Sequence, residues 1–421
     1  MVRMVKLCIL YLWLWGSLCG AEVFFIATSD LHGRVDRLAF LAPVLRNYPD
    51  AVKVDAGDLF QGNYAVNESG GFPVIDALNS LEFDLIVLGN HDFEYPLNTM
   101  KGWQSRFSGT ILGGQWHYRG LELPGFAVVE RSGFRIGVIA LGDVGMKKRT
   151  VFIPDLSCID EAAAVRNAVE ELKKQKCDAF ILLCHISVAN FGTLNKVVRE
   201  VPEIDAVVGA HSHKAASGNM INRTLAVQPE AYAGSAVLLR LNFDSEKKLR
   251  FIRSEQLRPG NEEDPAISAI ARNAEKKYAV SGQEVLAEFL DIDHFGMMAA
   301  EAIRRAAGSD AAFFRFHSKK FSCRMTEMGL FDLLPFGNRI VKITADKEAV
   351  LKFINRRRRK KNAFYRVGNF SKDKLSIAVS DYFFLQEKDL HRFEAREIGI
   401  FERDVIRNAL KSGEYREFMP E

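Results

Sequence analysis

The sequence predicts an α/β protein, a layered α/β domain followed by a smaller α/β domain. Three observations carry this. Short β-branched, apolar runs alternate with amphipathic helical segments from Val23 to about Asp244. A charged, Pro/Gly-containing stretch, Arg258–Pro265, then breaks the pattern. A second set of alternating segments runs from about Glu284 to the end. Strand and helix taking turns is the signature of a layered α/β domain with buried strands.

In order, the expected strands of the first set are Val23–Ala27, Val52–Asp55, Leu85–Leu88, Arg135–Ala140, Ala179–Cys184, Ala206–Val208, Leu225–Val227 and Val237–Asn242. Helical patterns fall between several of them, at Arg37–Arg46, Pro73–Leu81, Ile159–Lys176 and Thr193–Val201. After the Arg258–Pro265 stretch a helix is expected at Ala266–Tyr278. The second set holds helices at Phe295–Ala307, Lys347–Asn355 and Glu402–Lys411, with strands near Ala311–Phe316, Arg339–Thr344 and Leu375–Val379. The expected division is therefore 22–250 for the first domain, 251–283 for a linker and connecting helix, and 284–421 for the second. A chain of 421 residues suits two or three domains at ~150 residues each.

Composition narrows the class. A net charge of +4 with 26% charged residues excludes an acidic disordered protein and a dedicated polybasic nucleic-acid binder, so no nucleic-acid partner is expected. Hydrophobic content of 48%, with 31 Phe, is ample for packed cores. Past the N-terminus there is no apolar run long enough for a transmembrane span. Arg356–Lys361 is an unbroken basic run, readable as a solvated helix end or as a dock for a polyanion or anionic lipid.

At the N-terminus Arg3 and Lys6 precede an apolar stretch, Leu7–Leu18, and then Cys19-Gly20-Ala21. A helix of that length spans only about 18 Å, short of a ~30 Å hydrocarbon core. A basic start, a short apolar region and small residues near position 21 read as a secretory signal over residues 1–21, and as an exported protein of the periplasm or cell surface. Cys19 offers an alternative as a lipid anchor, although Leu18 before it is a poor fit. Beyond that segment lie Cys158, Cys177, Cys184 and Cys323. Outside the cytoplasm four cysteines allow two disulfides in three connectivities. Cys184 sits within an apolar strand, which favours a buried thiol there.

The chemistry is carried by histidines and carboxylates. Five of the nine histidines, His32, His91, His185, His211 and His213, fall just beyond the ends of expected strands, as do Asp30, Asp58 and Asn90. In open α/β sheets that edge is where ligands bind. The segments read Ser29-Asp30-Leu31-His32-Gly33, Asp55-Ala56-Gly57-Asp58, Gly89-Asn90-His91-Asp92, Cys184-His185 and Gly209-Ala210-His211-Ser212-His213. Alternate residues of an extended segment point the same way, so Asp30 and His32 can chelate one ion, while His211 and His213 can each reach a different ion. A carboxylate such as Asp58 can bridge two through its two oxygens. Mixed imidazole, carboxylate and amide ligands suit Zn, Mn, Co or Fe better than Ca or Mg. Singly each residue has a bland explanation as a surface or hydrogen-bonded side chain. Five such segments in this order do not.

These blocks resemble the calcineurin-like metallophosphoesterases, and the longer matches resemble the 5'-nucleotidase family among them. Ser29–Arg34, Gly57-Asp58-Leu59-Phe60-Gln61-Gly62 and Gly89–Tyr95 look like that family's N-terminal domain, and Leu333-Leu334-Pro335-Phe336-Gly337-Asn338 like its C-terminal domain. The resemblance implies an α/β-β/α sandwich holding two divalent ions. Asp30, His32, Asp58 and His213 would hold one ion, and Asp58, Asn90, His185 and His211 the other, with Asp58 bridging. His91 would stand by the phosphate and stabilise the transition state or assist the leaving oxygen. Glu94 stands where the family has an aspartate that orients this histidine, and Asp92 where the family usually has a glutamate.

The second domain departs further. In this family it supplies two aromatic rings that enclose the base, together with polar groups for ribose and phosphate. Phe336 and Tyr382 match the ring positions. The block Arg315-Phe316-His317-Ser318-Lys319-Lys320 keeps only cations, among them Arg315 and Lys320, where the family binds phosphate. Gln386-Glu387-Lys388-Asp389 lacks the family's glycines. The reading is an exported phosphoesterase with a small phosphorylated substrate, a 5'-nucleotide, attacked by metal-activated water, with the second domain capping the site. A UDP-sugar hydrolase, a 2',3'-cyclic-nucleotide phosphodiesterase and a low-activity surface binding protein are the alternatives.

Overall fold

A computed structural model describes residues 21–148, 152–189, 191–288, 291–316, 321–357 and 364–413. The expected signal and Cys19 lie outside the described residues, apart from Ala21, which opens the first strand. The chain divides into two compact units. One comprises Met1–Val144 and Asp155–Ala274, the other Gly145–Pro154 and Glu275–Glu421.

The strands of the first unit are β1 (Ala21–Thr28), β2 (Val52–Asp55), β3 (Leu85–Val87), β4 (Thr110–Leu112), β5 (Trp116–Tyr118), β6 (Phe126–Arg131), β7 (Phe134–Leu141), β8 (Leu156–Cys158), β9 (Ala179–Cys184), β10 (Ala206–Val208), β11 (Ala216–Ile221), β12 (Thr224–Gln228), β13 (Ala236–Phe243) and β14 (Leu249–Leu257). Its helices are α1 (Val35–Arg46), α2 (Tyr64–Glu68), α3 (Phe72–Ser80), α4 (Leu97–Arg106), α5 (Glu161–Lys174), α6 (Phe191–Glu200) and α7 (Pro265–Gly282), the last crossing the division at Ala274. One sheet has the order β14-β13-β1-β2-β3-β4, another β11-β12-β10-β9-β7-β6.

The two sheets pack face to face. Phe25 and Ala27 of β1 share one buried cluster with Ile136 and Val138 of β7 and with Ile181 and Leu183 of β9. Side chains alternate across a strand, so Ile139, Leu141, Leu182 and Cys184 face the other way, against Val165 and Val169 of α5 and Val197 of α6. Both faces are thus buried, which is why these strands read as unbroken apolar runs. Helix α5 starts where the Asp160 carboxylate accepts from the Ala163 N–H at 3.0 Å, and ends on Lys173 and Lys174, suited to the helix dipole. This is the layered α/β sandwich that the sequence predicts.

One boundary moves. Residues 251–257, expected in the linker, are most of β14, paired antiparallel along β13 from Ala236↔Leu257 to Asn242↔Phe251. An edge strand has a solvent face, and its charges at Arg250, Arg253 and Glu255 hide it among the charged residues that follow.

The second unit holds β15 (Val285–Glu288), β16 (Ala311–Phe314), β17 (Arg324–Thr326), β18 (Arg339–Asp346), β19 (Tyr365–Gly368), β20 (Lys374–Ser380) and β21 (Ala395–Phe401). Its helices are α8 (Ile292–Ala307), α9 (Glu327–Leu333), α10 (Lys347–Arg357), α11 (Asp381–Gln386) and α12 (Glu402–Ser412). The five-stranded sheet β19-β16-β20-β18-β21 is covered on both sides. Phe295, Ile303 and Ile406 of α8 and α12 pack on Ala312 and Phe314, whereas Phe353 and Phe383 of α10 and α11 pack with Ala311 and Phe313. Phe152, from the short Gly145–Pro154 segment, joins the second cluster with its ring 5.6 Å from Phe384.

Cys184 is buried, and burial pushes its thiol up to about 12. Cys177 and Cys184 are both free thiols, so a two-disulfide pairing of the four expected cysteines is not formed. No helix among the described residues is long and apolar enough to cross a membrane.

Candidate metal centre

The loops that leave β1 and β2 run side by side. The N–H groups of Asp30, His32 and Gly33 donate to the carbonyls of Gly57, Asp58 and Leu59 at 2.9, 3.0 and 2.8 Å. This extends the parallel β1–β2 pairing past the strand ends and brings Asp30, His32 and Asp58 onto one edge. Asp30, His32, Asp58, His211 and His213 all have φ between 48° and 73°. Such left-handed backbone costs non-glycine residues about 1–3 kcal/mol each and gathers at functional sites.

Glycine is required where the loops touch. A Cβ on Gly89 would lie 2.2 Å from Asp58 Oδ1. One on Gly57, at φ +99°, would lie 2.6 Å from Gly89 N and 2.9 Å from His185 Nδ1. Asp92 ties the same loops from beneath. Its carboxylate accepts from the N–H groups of Gly89, Asp58, Leu59 and Phe60 at 2.8 to 3.3 Å. Burial, with the Asp58 charge nearby, still pushes it up to about 7.

Two groups of side chains converge closely enough to hold a cation: Asp30, His32 and His213, and Asp58, His185 and His211. In the first, His32 Nε2 and His213 Nε2 are 3.1 Å apart, and His213 Nε2 is 3.7 Å from Asp30 Oδ1. In the second, His185 Nε2 is 3.1 Å from Asp58 Oδ2. The same Asp58 oxygen lies 3.8 Å from His32 Nε2 in the first group. Asp58 therefore stands between the two groups. Asn90 Oδ1 is 3.0 Å from His211 Nδ1, which sets it beside the second group.

The donor chemistry fits cations. Nδ1 of His32 faces the Gln61 carbonyl and Nδ1 of His185 the Ala56 carbonyl, each at 2.9 Å. A carbonyl only accepts, so both rings carry the proton on Nδ1 and turn the Nε2 lone pair inward. His185 Nε2 is buried and has no hydrogen-bond partner among the described residues, although a carboxylate oxygen lies beside it. A lone pair facing a carboxylate is repulsive unless a positive charge joins them. Among the protein groups alone that charge is a proton. Burial works against a charged His185, but Asp58 raises it to about 10. Burial also opposes the Asp58 charge, yet His185, His91 and His32 hold it well below the usual carboxylate range.

His91 sits at the same edge. Its N–H donates to Asp58 Oδ1 at 2.9 Å, and its Nδ1 is 2.7 Å from Glu94 Oε1. Glu94 thus reaches the His91 ring.

Of the expected substrate residues, Arg315, Phe336 and Tyr382 line one cleft of about 400 Å³ in the second unit, with Asn338, Ser380 and Glu402. Phe336 and Tyr382 are 36% and 40% exposed, so neither is core packing. Arg315 is partly engaged, 3.8 Å from Glu387. Lys320, with Lys319, lies outside the described residues. The basic run is divided too: Arg356 pairs with Asp389, and buried Arg357 pairs with Glu387 over the Phe383 ring, while 358–361 lie outside the described residues.

Three contributors escaped the sequence reading. Asp92 carries the four N–H bonds described above. Asp55 accepts from Thr28 Oγ1 at 2.6 Å and from the Gly57 N–H at 2.8 Å. Tyr232 places its hydroxyl 3.1 Å from His213 Nδ1. Asp55 and Asp92 lie inside the motif blocks, where their position is a usable signal. Tyr232 lies outside every block.

Residues 25–215 match the calcineurin-like phosphoesterases. A 2',3'-cyclic-nucleotide 2'-phosphodiesterase/3'-nucleotidase of Haemophilus influenzae is 26% identical over 246 residues, 49% of this chain and 37% of that protein. A Treponema pallidum protein named probable 5'-nucleotidase is 31% identical over 174 residues, 39% of this chain and 28% of that one. The chain thus matches well under half the length of these relatives. Among solved structures, a 5'-nucleotidase precursor from Thermus thermophilus has the same fold, with a TM-score of 0.66 at 18% identity over 93% of this chain and 96% of that one.

Proposed function

We propose that this chain, which belongs through residues 25–215 to the calcineurin-like phosphoesterase family, is an exported two-metal phosphoesterase that hydrolyses 5'-nucleotides to nucleosides and phosphate. The observation that carries the reading is the place of Asp58 Oδ2, between His32 Nε2 at 3.8 Å and His185 Nε2 at 3.1 Å.

Asp30, His32, Asp58 and His213 would hold one ion, and Asp58, Asn90, His185 and His211 the other. Zn, Mn, Co and Fe suit these donors. When bound, such a pair activates a water and neutralises charge on the transferred phosphoryl group. The chain's own residues do the rest. His91, whose Nδ1 proton is held by Glu94, would donate from Nε2 to the phosphoryl oxygens or to the leaving oxygen only as the imidazolium, the form that the Glu94 carboxylate favours. Asp92 and the two glycines keep Asp58 and Asn90 in place.

The nucleotide part rests on the cleft in the second unit and on the names of the two relatives. Phe336 and Tyr382 offer exposed rings for a base, and Arg315 a cation for an anionic substrate. Export rests on the basic and apolar residues ahead of Ala21. A second reading, hydrolysis of 2',3'-cyclic nucleotides, is favoured by the name of the Haemophilus influenzae relative.

Phosphate release from the four 5'-mononucleotides, a 2',3'-cyclic nucleotide, UDP-glucose and p-nitrophenyl phosphate, with Mn, Zn or chelator, tests this. Release selective for 5'-nucleotides, lost with Phe336→Ala, is the expected result. Metal-dependent release without base preference would remove the nucleotide from the assignment, and selective release from the cyclic nucleotide would establish the second reading.

A further inference from the structure

Tyr232 lies in the turn between β12 and β13, away from the motif blocks, yet it touches the whole first group of ligands. Its N–H donates to the Asp30 carbonyl at 2.8 Å. Its ring lies 5.4 Å from that of His32 and 5.1 Å, edge-on, from that of His213. Its hydroxyl is 3.1 Å from His213 Nδ1. To do this the residue adopts φ +60°, followed by Ala233 at +54°. A bulky side chain rarely takes that conformation, so the turn holds it there against its own preference.

The four histidines of the two groups are not secured alike. His32 and His185 are buried and set by backbone carbonyls. His211 faces Asn90, itself an expected ligand. His213 is about a third exposed, and its outer nitrogen meets a side chain from another loop. For Nε2 to offer its lone pair toward Asp30 and His32, Nδ1 must carry the proton and donate it to the Tyr232 oxygen. Outer partners of this kind typically change metal affinity ten- to a hundredfold.

We infer that Tyr232 is a positioning residue that sets the metal affinity of the Asp30–His32–His213 group and leaves the Asp58–His185–His211 group unaffected. This rests on the reading that both groups bind ions. The test is a calorimetric titration of the chelator-stripped full chain with Co(II), in wild type, Tyr232→Phe, His213→Ala and the double variant, with thermal melting alongside. Phenylalanine keeps the ring on His32 and removes only the hydroxyl. The expected result is two sites in wild type, one of them weakened about ten- to a hundredfold in Tyr232→Phe, at unchanged melting temperature. No further loss should follow when Tyr232→Phe is added to His213→Ala, since the two act through one bond. Two unchanged sites in Tyr232→Phe, equal weakening of both, or additive losses in the double variant overturn the inference. Wild type that fails to bind two ions overturns the metal reading itself, and is seen without any variant.

Discussion

His91 and Glu94 are joined, Nδ1 to Oε1 at 2.7 Å, across one turn of a short 3-10 helix at Asp92–Glu94. The carboxylate only accepts, so it holds a proton on Nδ1 and fixes the orientation of the ring. Replacing His91 by Ala should lower kcat by roughly 10²–10⁴, the usual worth of a positioned acid or base. Glu94→Gln keeps a hydrogen bond and loses the charge, so a smaller fall is expected, with the pH–rate profile moved. Metal content measured on both variants should match wild type. Lost metal would instead make the pair part of the ligand scaffold.

Gly89 is fixed by contact rather than by φ. With a Cβ position 2.2 Å from Asp58 Oδ1, Gly89→Ala must displace the Asp58 carboxylate or the loop that carries Asn90. The variant should fold, because the sandwich core does not include this loop, but bind metal at least about tenfold more weakly. Metal analysis after gel filtration checks this, and full metal content in a folded variant would contradict it.

Glu402 gives a pH prediction for the second unit. It is buried in contact with Asn338, whose side-chain amide donates to it at 3.0 Å. Burial, with the neighbouring Asp381 charge, pushes its carboxyl up to about 7. The folded state therefore keeps the proton over a range where the unfolded chain has released it, between about 4.3 and about 7. Stability from this group is complete below that range and is lost as pH rises through it. Glu402→Gln should remove the loss and raise stability at pH 8 relative to pH 5 by roughly 3 kcal/mol. Urea melts of both proteins at the two pH values measure the difference, and parallel pH dependences would rule the account out.

Phe152 belongs to a ten-residue segment whose neighbours in sequence serve the other unit. It is 1% exposed and packed with Phe384 in the core of the second unit. Phe152→Ala should destabilise that unit by about 3–5 kcal/mol. Hydrogen exchange would show faster opening in β16, β20 and α10, with β1, β7 and β9 unchanged.

The blocks that form the candidate metal groups were legible because each is local. Asp30 with His32, or His211 with His213, sits within three residues at the end of an apolar strand, and strand order brings the ends together. The position of Asp58 beside both groups was also within reach, since its loop continues a parallel pair. Tyr232 was not, because its role comes from a hydrogen bond to a residue nineteen positions earlier. Asp92 lay inside a motif, which marks its position, but the four backbone donors it ties come from two loops whose meeting the local sequence does not show. Phe152 reads as one more apolar residue in a loop, and nothing local says which core receives it. The charges of β14 resemble those of the linker that follows, so the sequence pattern does not mark where the strand ends.

The most direct test of the account is hydrolysis of p-nitrophenyl phosphate by the purified full chain, with metal content measured on the same preparation. The account predicts turnover that vanishes on chelation, returns with Mn or Zn at two ions per chain, and falls by about two orders of magnitude or more in Asp58→Asn, which weakens both sites at once. Turnover that survives chelation, or an Asp58→Asn variant with full activity and two bound ions, would contradict it.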